Sequence, residues 1–271
     1  LPGLAEWRRV VTYRTGELGR LRNVELIPRT RLAAADVLDY GAELVVVATG
    51  SEWAADGLNG RTQAPIPGAG AGLPHVLAPE AVVRDGARPP GPRVVVYDTD
   101  GYFMGASIAE LLAADGHAVT YLTPLETLAP YMHLTLESGR MAARLLELGV
   151  AIRPHTSLLE IVPDRVVLRS AWASGPEELA TDGVVLVTQR RSRSALHAEL
   201  AADPDALAAA GIEGLFVIGD AAAPGMIAQS IFDAHRLARE IDTDDPSLPL
   251  PYIRERRLVG GTDADYALPA R

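Results

Sequence analysis

The chain has 271 residues, 48% of them hydrophobic and 22% charged, a composition typical of a globular protein with one or two domains. Its formal net charge of −10 argues against nucleic acid or an anionic membrane surface as a partner, and its apolar runs are too short to span a membrane. It contains neither cysteine nor lysine, which excludes thiolate ligands to a metal cluster, a Cys nucleophile, a P-loop and a Schiff base within this chain.

The first fifty residues predict two helices and two strands. Apolar residues recur at helical spacing over Ala5–Leu21, and Val24–Pro28 has the composition of a short strand. Thr30 is placed to cap a small helix that includes residues 36–38. The apolar run at Glu43–Gly50 predicts a buried strand that ends in a tight turn.

The middle of the chain alternates strands and helices after a long connection. Ala54–Pro92 is rich in Gly and Pro, which predicts a segment that crosses the molecule with little regular structure. The elements predicted after it are strands at 93–97, 118–122, 151–153, 161–169 and 182–188, and helices at about 106–115 and 135–148. This order is typical of an α/β protein with mostly parallel strand pairing.

The last part of the chain returns to the same pattern. Gly214–Ala221 predicts a buried strand with Gly-Asp at its carboxyl end, and Pro224–Ile241 predicts a helix with one apolar face. The residues of that face are Ile227, Ile231, Ala234, Leu237, Ala238 and Ile241. The segment after Asp242 is Pro-rich and then Arg-rich, and we expect it to cover another surface instead of forming a core.

The turn after the strand at 93–97 stands where a dinucleotide-binding unit carries G-x-G-x-x-G. Counting back from Gly105, the two other glycine positions hold Asp100 and Tyr102, and Asp98 adds a second carboxylate. A carboxylate at this turn repels a phosphate and competes for the N-terminal amides of the helix. The next strand also ends without the acid or the Arg that recognises the ribose of NAD or NADP. The sequence therefore predicts a Rossmann turn that is poorly suited to NAD(P).

Two other strand ends, at Thr49–Gly50 and Gly219–Asp220, carry small residues. Ligands of open α/β sheets bind at the carboxyl ends of strands, and small residues there let a nucleotide approach the backbone. Asp220 is suited to accept a hydrogen bond from a ribose or ribityl hydroxyl, and the following helix points its N-terminus at the ligand. Either motif alone is as well explained by an ordinary strand-to-turn junction. The ordered pair, about 170 residues apart, favours a nucleotide site.

No catalytic or metal-binding residue is predicted for this chain. The six histidines show neither metal-ligand spacing nor a paired orienting acid. Ser51 follows a glycine but lacks the G-x-S-x-G setting of a hydrolase nucleophile.

Five motifs occur in a defined order: Ala48-Thr49-Gly50-Ser51-Glu52-Trp53, Pro65-Ile66-Pro67-Gly68, Tyr102-Phe103-Met104, Tyr131-Met132-His133-Leu134-Thr135-Leu136-Glu137 and Gly219-Asp220-Ala221-Ala222-Ala223-Pro224. As an ordered set they resemble trimethylamine dehydrogenase and its relatives. These are flavoproteins of the old-yellow-enzyme type that include dimethylamine and histamine dehydrogenases and, more distantly, dienoyl-CoA reductase. The resemblance extends from Leu1 to Tyr252, although Ala-Thr-Gly and Gly-Asp alone are shared by many two-dinucleotide-fold oxidoreductases.

The resemblance implies an α/β fold with two Rossmann-like domains of the glutathione-reductase type, the second inserted in the first. Residues 1–55 and 195–271 would form a discontinuous FAD/ADP-binding domain, and residues 56–194 an inserted, degenerate NAD(P)-binding-like domain. The first βαβ unit of the FAD/ADP domain would precede Leu1 and be missing from this chain. We therefore expect a C-terminal fragment, a nicked chain or one subunit of a split enzyme.

The cofactor-binding residues implied by the resemblance would line ADP or FAD, and they are Thr49, Gly50, Ser51, Gly219, Asp220, Met226 and Ile227. FMN and an iron–sulfur cluster are expected in an N-terminal β/α barrel, which would be the partner of this chain. A homo-oligomer and an electron-transfer flavoprotein are further expected partners. The expected location is cytoplasmic, because nothing at the start of the chain has the pattern of a signal peptide.

Within this family the degenerate turn distinguishes two functions. Reductases of the dienoyl-CoA type take electrons from NADPH and need a working glycine turn. Amine dehydrogenases pass electrons from FMN to the cluster and on to an electron-transfer flavoprotein, and hold ADP or FAD without chemistry. The leading hypothesis is therefore the C-terminal nucleotide-binding part of an amine-dehydrogenase-like enzyme that performs oxidative N-dealkylation or deamination at an upstream FMN. An NAD(P)H-dependent enoate or dienoyl reductase and a non-catalytic scaffold subunit are the alternatives.

Overall fold

A computed structural model describes residues 1–243 of the chain, and its contacts divide the chain into two compact units. The first unit consists of Leu1–Leu32 and Ser51–Ser192, and the second of Ala33–Gly50 and the chain from Arg193 onward. These units differ from the predicted domains mainly at the start of the chain, where the first 32 residues group with the middle segment. The assignment of cofactors to domains stays a prediction. The predicted role of the tail lies outside the described residues.

The regular elements follow one another with short connections except in the Gly- and Pro-rich segment. In chain order the strands are Leu44–Val47 (β1), Ser51–Trp53 (β2), Val76–Leu77 (β3), Arg93–Asp98 (β4), Ala118–Leu122 (β5), Ala151–Arg153 (β6), Thr156–Val162 (β7), Arg165–Ser170 (β8), Glu177–Ala180 (β9), Gly183–Val187 (β10), Arg190–Ser192 (β11) and Gly214–Val217 (β12). The α-helices are Arg8–Leu18 (α1), Ala34–Tyr40 (α2), Pro79–Val83 (α3), Phe103–Ala114 (α4), Ser138–Glu147 (α5), Ala195–Ala201 (α6), Pro204–Ala209 (α7) and Ile227–Glu240 (α8).

The core of the first unit is a five-stranded parallel sheet with the strand order β3–β10–β4–β5–β6. Strands β4 and β10 are buried along nearly their whole length, because both faces of a parallel sheet are covered. Helix α4 packs on one face, where its Ile108 and Leu112 form a buried cluster with Val94 and Val96. The strand β4 and the helix α4 therefore place the turn between them at the carboxyl edge of a well-packed sheet.

A three-stranded antiparallel sheet, β7–β8–β9, packs on the other face of the parallel sheet. Its Leu158 and Leu168 form one buried cluster with Val95 and Val184. The sequence predicted a strand over 161–169 with a hairpin-like alternation, and the chain reverses direction between β7 and β8 at a Pro-Asp turn. The Pro-Asp dipeptide is a recognised turn signal, so the hairpin was predictable from the residues.

The second unit contains a two-stranded parallel sheet, β1–β12. Leu44 pairs with Gly214 and Val47 pairs with Val217, so the two strands start and end side by side. Helices α2 and α6 close a small apolar cluster, whose buried members are Ala34, Val37, Leu200 and Ile212. This register brings the loops after β1 and β12 to the same edge of the sheet.

Two local predictions for the first forty residues are wrong. Val24–Pro28 forms no strand, because a strand-like composition does not by itself supply a neighbouring strand to pair with. Thr30 caps no helix: α2 begins at Ala34, and its N-terminus is held by Asp36, whose Oδ2 accepts a hydrogen bond from the Ala33 amide at 2.7 Å. The helix predicted from residue 5 is confirmed as a short 3-10 turn followed by α1.

Helix α8 is confirmed, but it buries fewer side chains than its apolar face predicted. Leu237 is buried, whereas Ile227 exposes 52% of its surface, and Ala234 and Ala238 are exposed. The hydrophobic periodicity therefore predicted the helix correctly, while the described part of the second unit covers only the end of its apolar face.

The structure shows a mixed α/β fold with a parallel sheet, as predicted. The finer prediction, two Rossmann-like domains of which one lacks its first βαβ unit, stays a prediction. Over residues 1–243, no helix is both long enough and apolar enough to cross a membrane.

Candidate functional site

The two small-residue strand ends of the second unit lie at one edge of its sheet, because β1 and β12 are parallel and in register. Gly50 follows β1 with a φ of +78°, and Gly219 follows β12 with a φ of +58°. Glycine adopts this left-handed conformation at little steric cost, unlike residues with a side chain. The structure thus brings Thr49–Gly50 and Gly219–Asp220 to the same edge.

The loop after β1 is tied to the chain at Arg193. The Thr49 hydroxyl donates a hydrogen bond to the Arg193 carbonyl, and the Arg193 amide donates to the Gly50 carbonyl at 2.9 Å. Because the proton of the Thr49 hydroxyl is already used, a ligand would meet that hydroxyl only as an acceptor.

Asp220 binds the loop that follows it. Its Oδ1 accepts a hydrogen bond from the Gly225 amide at 3.0 Å and another from the Ser230 hydroxyl at 3.3 Å. These bonds hold the loop against the first turn of α8. The sugar contact predicted for Asp220 stays a prediction, and its visible role in the structure is to position this loop.

Helix α8 begins at Ile227, with Met226 as its N-cap residue. The Met226 amide donates to Oε1 of Gln229 at 2.6 Å, which satisfies that amide within the chain. The amides of Ile227 and Ala228 belong to the first turn, where an α-helix offers no acceptor for its own N–H groups. These amides and the helix dipole together favour an anionic or hydroxyl group at this end.

A surface cavity of 440 Å³ opens beside the start of α8. Asp233 lines it, and its Oδ2 accepts a hydrogen bond from the Gly219 amide at 3.3 Å. Gln229, Phe232 and Asp233 were not predicted as site residues, although their spacing places them on one face of the predicted helix. The lining residues come from the loop and that face, and they are Ala223, Pro224, Gly225, Ala228, Gln229, Phe232 and Asp233.

Ser51, the remaining predicted cofactor residue, belongs to the first unit. It opens β2 and pairs with Ser192 of β11 in an antiparallel ladder. Its predicted contact with a nucleotide stays a prediction.

In the first unit, the Asp98 carboxyl lies inside the turn between β4 and α4. The side chain is fully buried. Its Oδ1 accepts a hydrogen bond from the Gly101 amide at 2.8 Å, and its Oδ2 accepts one from the Tyr121 hydroxyl at 2.6 Å. Burial raises the pKa of the Asp98 carboxyl to about 7, although both hydrogen bonds favour the charged form.

This geometry corrects the predicted role of Asp98. The carboxyl does not compete for the N-terminal amides of the helix, because its amide donor is Gly101 and α4 begins two residues later, at Phe103. With a pKa near 7 it is also only partly charged at neutral pH, so repulsion of a phosphate is a smaller effect than predicted. The carboxyl instead fills the interior of the turn.

Gly105, the fingerprint glycine that this turn retains, lies against the same carboxyl. A Cβ atom on Gly105 would lie 2.5 Å from Cγ and 2.8 Å from Cβ of Asp98. In a dinucleotide-binding unit the glycine at this position permits close packing of helix and strand. Here the space beside that glycine is occupied by Asp98.

Both side chains at the substituted glycine positions also occupy the turn. Asp100 is half-buried, and burial raises its pKa while the positive charge of Arg190 opposes that effect. Tyr102 is the N-cap residue of α4, and its ring packs edge-on against Phe103 with 4.8 Å between the ring centroids. The turn is therefore filled where a pyrophosphate would need bare backbone.

The part of the chain that the structure describes contains no group of three or more His, Asp or Glu side chains that could hold a metal ion.

This chain is similar in sequence to known proteins. The family model described as "OYE-like second alpha/beta domain" matches residues 77–199. Dimethylamine dehydrogenase from Hyphomicrobium sp. (strain x) is 41% identical over 283 residues, which cover 96% of this chain and 38% of that protein.

Two solved structures extend the similarity. Histamine dehydrogenase from Rhizobium sp. 4-9 superposes with a TM-score of 0.88 at 36% identity, covering 95% of this chain and 40% of that one. The 6-hydroxypseudooxynicotine amine oxidase of Pseudomonas geniculata N1 gives a TM-score of 0.80 at 38% identity, covering 86% of this chain and 34% of that one. The chain thus spans less than half the length of the relatives it matches.

Proposed function

Because this chain belongs to the trimethylamine dehydrogenase family of flavin-dependent oxidoreductases, we propose that it is the nucleotide-binding part of an amine-oxidising flavoprotein. In this proposal the second unit binds ADP or FAD at the carboxyl ends of β1 and β12. The first unit binds no NAD(P). The observation that carries the proposal is the turn filled by Asp98, because it leaves the edge of the second unit as the nucleotide site.

The residues of the second unit fit a nucleotide. Gly50 leaves open space beside the end of β1, because a Cβ atom there would meet nothing within 4 Å, and the first-turn amides of α8 are suited to a phosphate. The 440 Å³ cavity is of the size that small-molecule sites have. Thr49, Gly50, Gly219 and the backbone at 226–227 would hold ADP or FAD there, with Ser51 beside them.

The substrate-oxidising centre would lie outside this chain. FMN would take the electrons of the amine there, and an iron–sulfur cluster would need cysteine ligands, of which this chain has none. We therefore assign both groups to an N-terminal barrel, either in the same polypeptide or in a separate subunit. An electron-transfer flavoprotein as acceptor, a homo-oligomeric assembly and a cytoplasmic location complete the proposal.

Mass spectrometry of the nucleotide released on denaturation tests the first half of this proposal. We expect one ADP or one FAD for each copy of the chain in the intact enzyme. Finding neither nucleotide would contradict the proposal and favour a non-catalytic scaffold.

Anaerobic titration with NADH and NADPH tests the second half. We expect no bleaching of the flavin absorbance on the time scale of turnover, because the turn at Asp98 offers no room for a pyrophosphate. Rapid bleaching by either nucleotide would overturn the assignment in favour of an enoate or dienoyl reductase.

A further inference from the structure

Asp233 is the carboxylate that faces the cavity beside α8. It lines the cavity, whereas Asp220 is not among the lining residues and directs Oδ1 to Gly225 and Ser230. Oδ2 of Asp233 accepts a long hydrogen bond, 3.3 Å, from the Gly219 amide. Over residues 1–243, no donor reaches its Oδ1. One oxygen of this carboxylate therefore stays available to a ligand.

Gln229 lies one helical turn before Asp233 and lines the same cavity. Its Oε1 is held by the Met226 amide at 2.6 Å, and over residues 1–243 no acceptor takes its Nε2 group, which has two N–H donors. Helix α8 thus presents an acceptor next to a donor. Phe232, 68% exposed, adds an apolar surface at the same place.

We propose that Asp233 and Gln229 bind neighbouring hydroxyls of the nucleotide sugar, either the ribose of the adenosine or the ribityl chain of FAD. This inference rests on the proposed function of the second unit. Each sugar hydroxyl donates one hydrogen bond and accepts others, so a pair of hydroxyls matches a carboxylate oxygen beside an amide N–H. A phosphate does not match it, because the carboxylate repels it. Asp220 is then a positioning residue that holds the loop after β12.

Calorimetric titration of the intact enzyme, freed of its bound nucleotide, with ADP, FAD and 2′,3′-dideoxy-ADP tests this inference. Asp233→Asn keeps an oxygen for the Gly219 amide and removes the charged acceptor. Gln229→Glu keeps an oxygen for the Met226 amide and removes the donor, which gives a second, independent variant. His235→Ala is the matched control, because His235 is exposed on the same helix and does not line the cavity.

If the ribose is bound, each site variant weakens ADP and FAD about tenfold to a hundredfold more than it weakens dideoxy-ADP, which cancels any repulsion between a new carboxylate and the phosphates. If the ribityl chain is bound, the same loss appears for FAD alone. Variants that bind ADP and FAD within about twofold of the wild type, or that weaken dideoxy-ADP as much as ADP, overturn the inference. A wild-type intact enzyme that binds none of the three nucleotides overturns the proposed function, and the inference with it.

Discussion

At the scale of a single residue, the buried carboxyl of Asp98 links the stability of the first unit to pH. Its pKa is about 7 in the folded chain, against 3.8 for an exposed aspartate. Between these two values the folded state holds a proton that the unfolded state has released. The contribution of this group to stability is therefore fully present below about pH 4, and it is lost as the pH rises to about 7.

Replacing Asp98 by Asn should remove this pH dependence. The amide has the shape of the neutral carboxyl: its oxygen can accept from the Gly101 amide, and its NH2 can donate to the Tyr121 hydroxyl oxygen, as the protonated carboxyl does. At pH 8 we expect Asp98→Asn to be more stable than the wild type by about 4 kcal/mol, which corresponds to the shift in pKa. At pH 4 the two should be nearly equal. Urea unfolding at both pH values measures the difference, and a difference that does not change with pH would contradict this account.

Gly105→Ala should destabilise the first unit. The new Cβ would lie 2.5 Å from Cγ of a fully buried Asp98, which has no space to move away. We expect a loss of about 1–3 kcal/mol in the free energy of unfolding, the usual cost of overpacking. Gly139→Ala in α5 is the control, because a Cβ there meets nothing within 4 Å and alanine favours a helix. Equal stability of the two variants would show that the close approach carries no cost.

The residues that replace the glycines of the turn were identified from the sequence, but the way in which they fill the turn was not. The positions of Asp98, Asp100 and Tyr102 follow from counting back from Gly105. The burial of Asp98 depends on the hydroxyl of Tyr121, which comes from the next strand and is 23 residues away. Spacing within one motif does not show that a side chain from another strand fills its interior.

At the scale of an element, helix α8 depends on contacts made before it begins. Asp220 holds the preceding loop, and Gln229 accepts from the Met226 amide. A Gln or Glu three residues after the N-cap is the second half of the capping box. The start of this helix is therefore held by one contact from the loop before it and by one from its own first turn. Such a rigid helix start favours a preformed ligand site.

Gln229→Ala should destabilise the start of α8 by about 1 kcal/mol, because the Met226 amide loses its partner. Gln229→Glu should retain the stability, since a carboxylate also accepts from that amide and suits a helix N-terminus. Thermal unfolding of the two variants measures this contrast. A Gln229→Ala chain as stable as the wild type would mean that the bond contributes nothing.

Strands and helices with strong local patterns were predictable, and elements that depend on distant partners were not. The apolar runs of β4 and β10 predicted buried strands, and the periodicity of α8 predicted a helix. The pairing of β2 with β11 was not visible, because Trp53 and Arg190 meet across more than half of the chain's length. Val24–Pro28 shows the reverse case, a strand-like composition without a partner.

At the scale of the whole molecule, the two units differ in what they offer a nucleotide. The first encloses a packed turn, and the second has open space beside Gly50 and a surface cavity beside α8. The sequence predicted this division of roles from Asp98 and from the pair of strand-end motifs. It did not predict the boundary at residue 32, because compact units are defined by contacts between distant segments.

Saturation with ADP should stabilise the second unit selectively. At a hundredfold excess over Kd we expect about 2.7 kcal/mol of added stability, by mass action. Hydrogen exchange should slow at Gly50 and at 219–233, and not at 98–105, if ADP binds only the second unit. NADPH in place of ADP serves as the comparison, and slower exchange at 98–105 with either nucleotide would contradict the division of roles.

The fit among Asp98, Tyr121 and Gly105 also has an evolutionary consequence. At about pH 4, where the folded chain holds Asp98 neutral, Asp98→Ala would leave the Tyr121 hydroxyl buried without its partner, at a cost of about 1–3 kcal/mol. Asp100→Gly or Tyr102→Gly alone would remove one side chain from the backbone of the turn, but Asp98 would still fill its interior. We expect stepwise replacement to lower stability before any NADH affinity appears, which unfolding and binding measurements on each intermediate would reveal. The three residues that fit together at this turn therefore oppose its conversion, one residue at a time, into a glycine-rich turn that binds NADH.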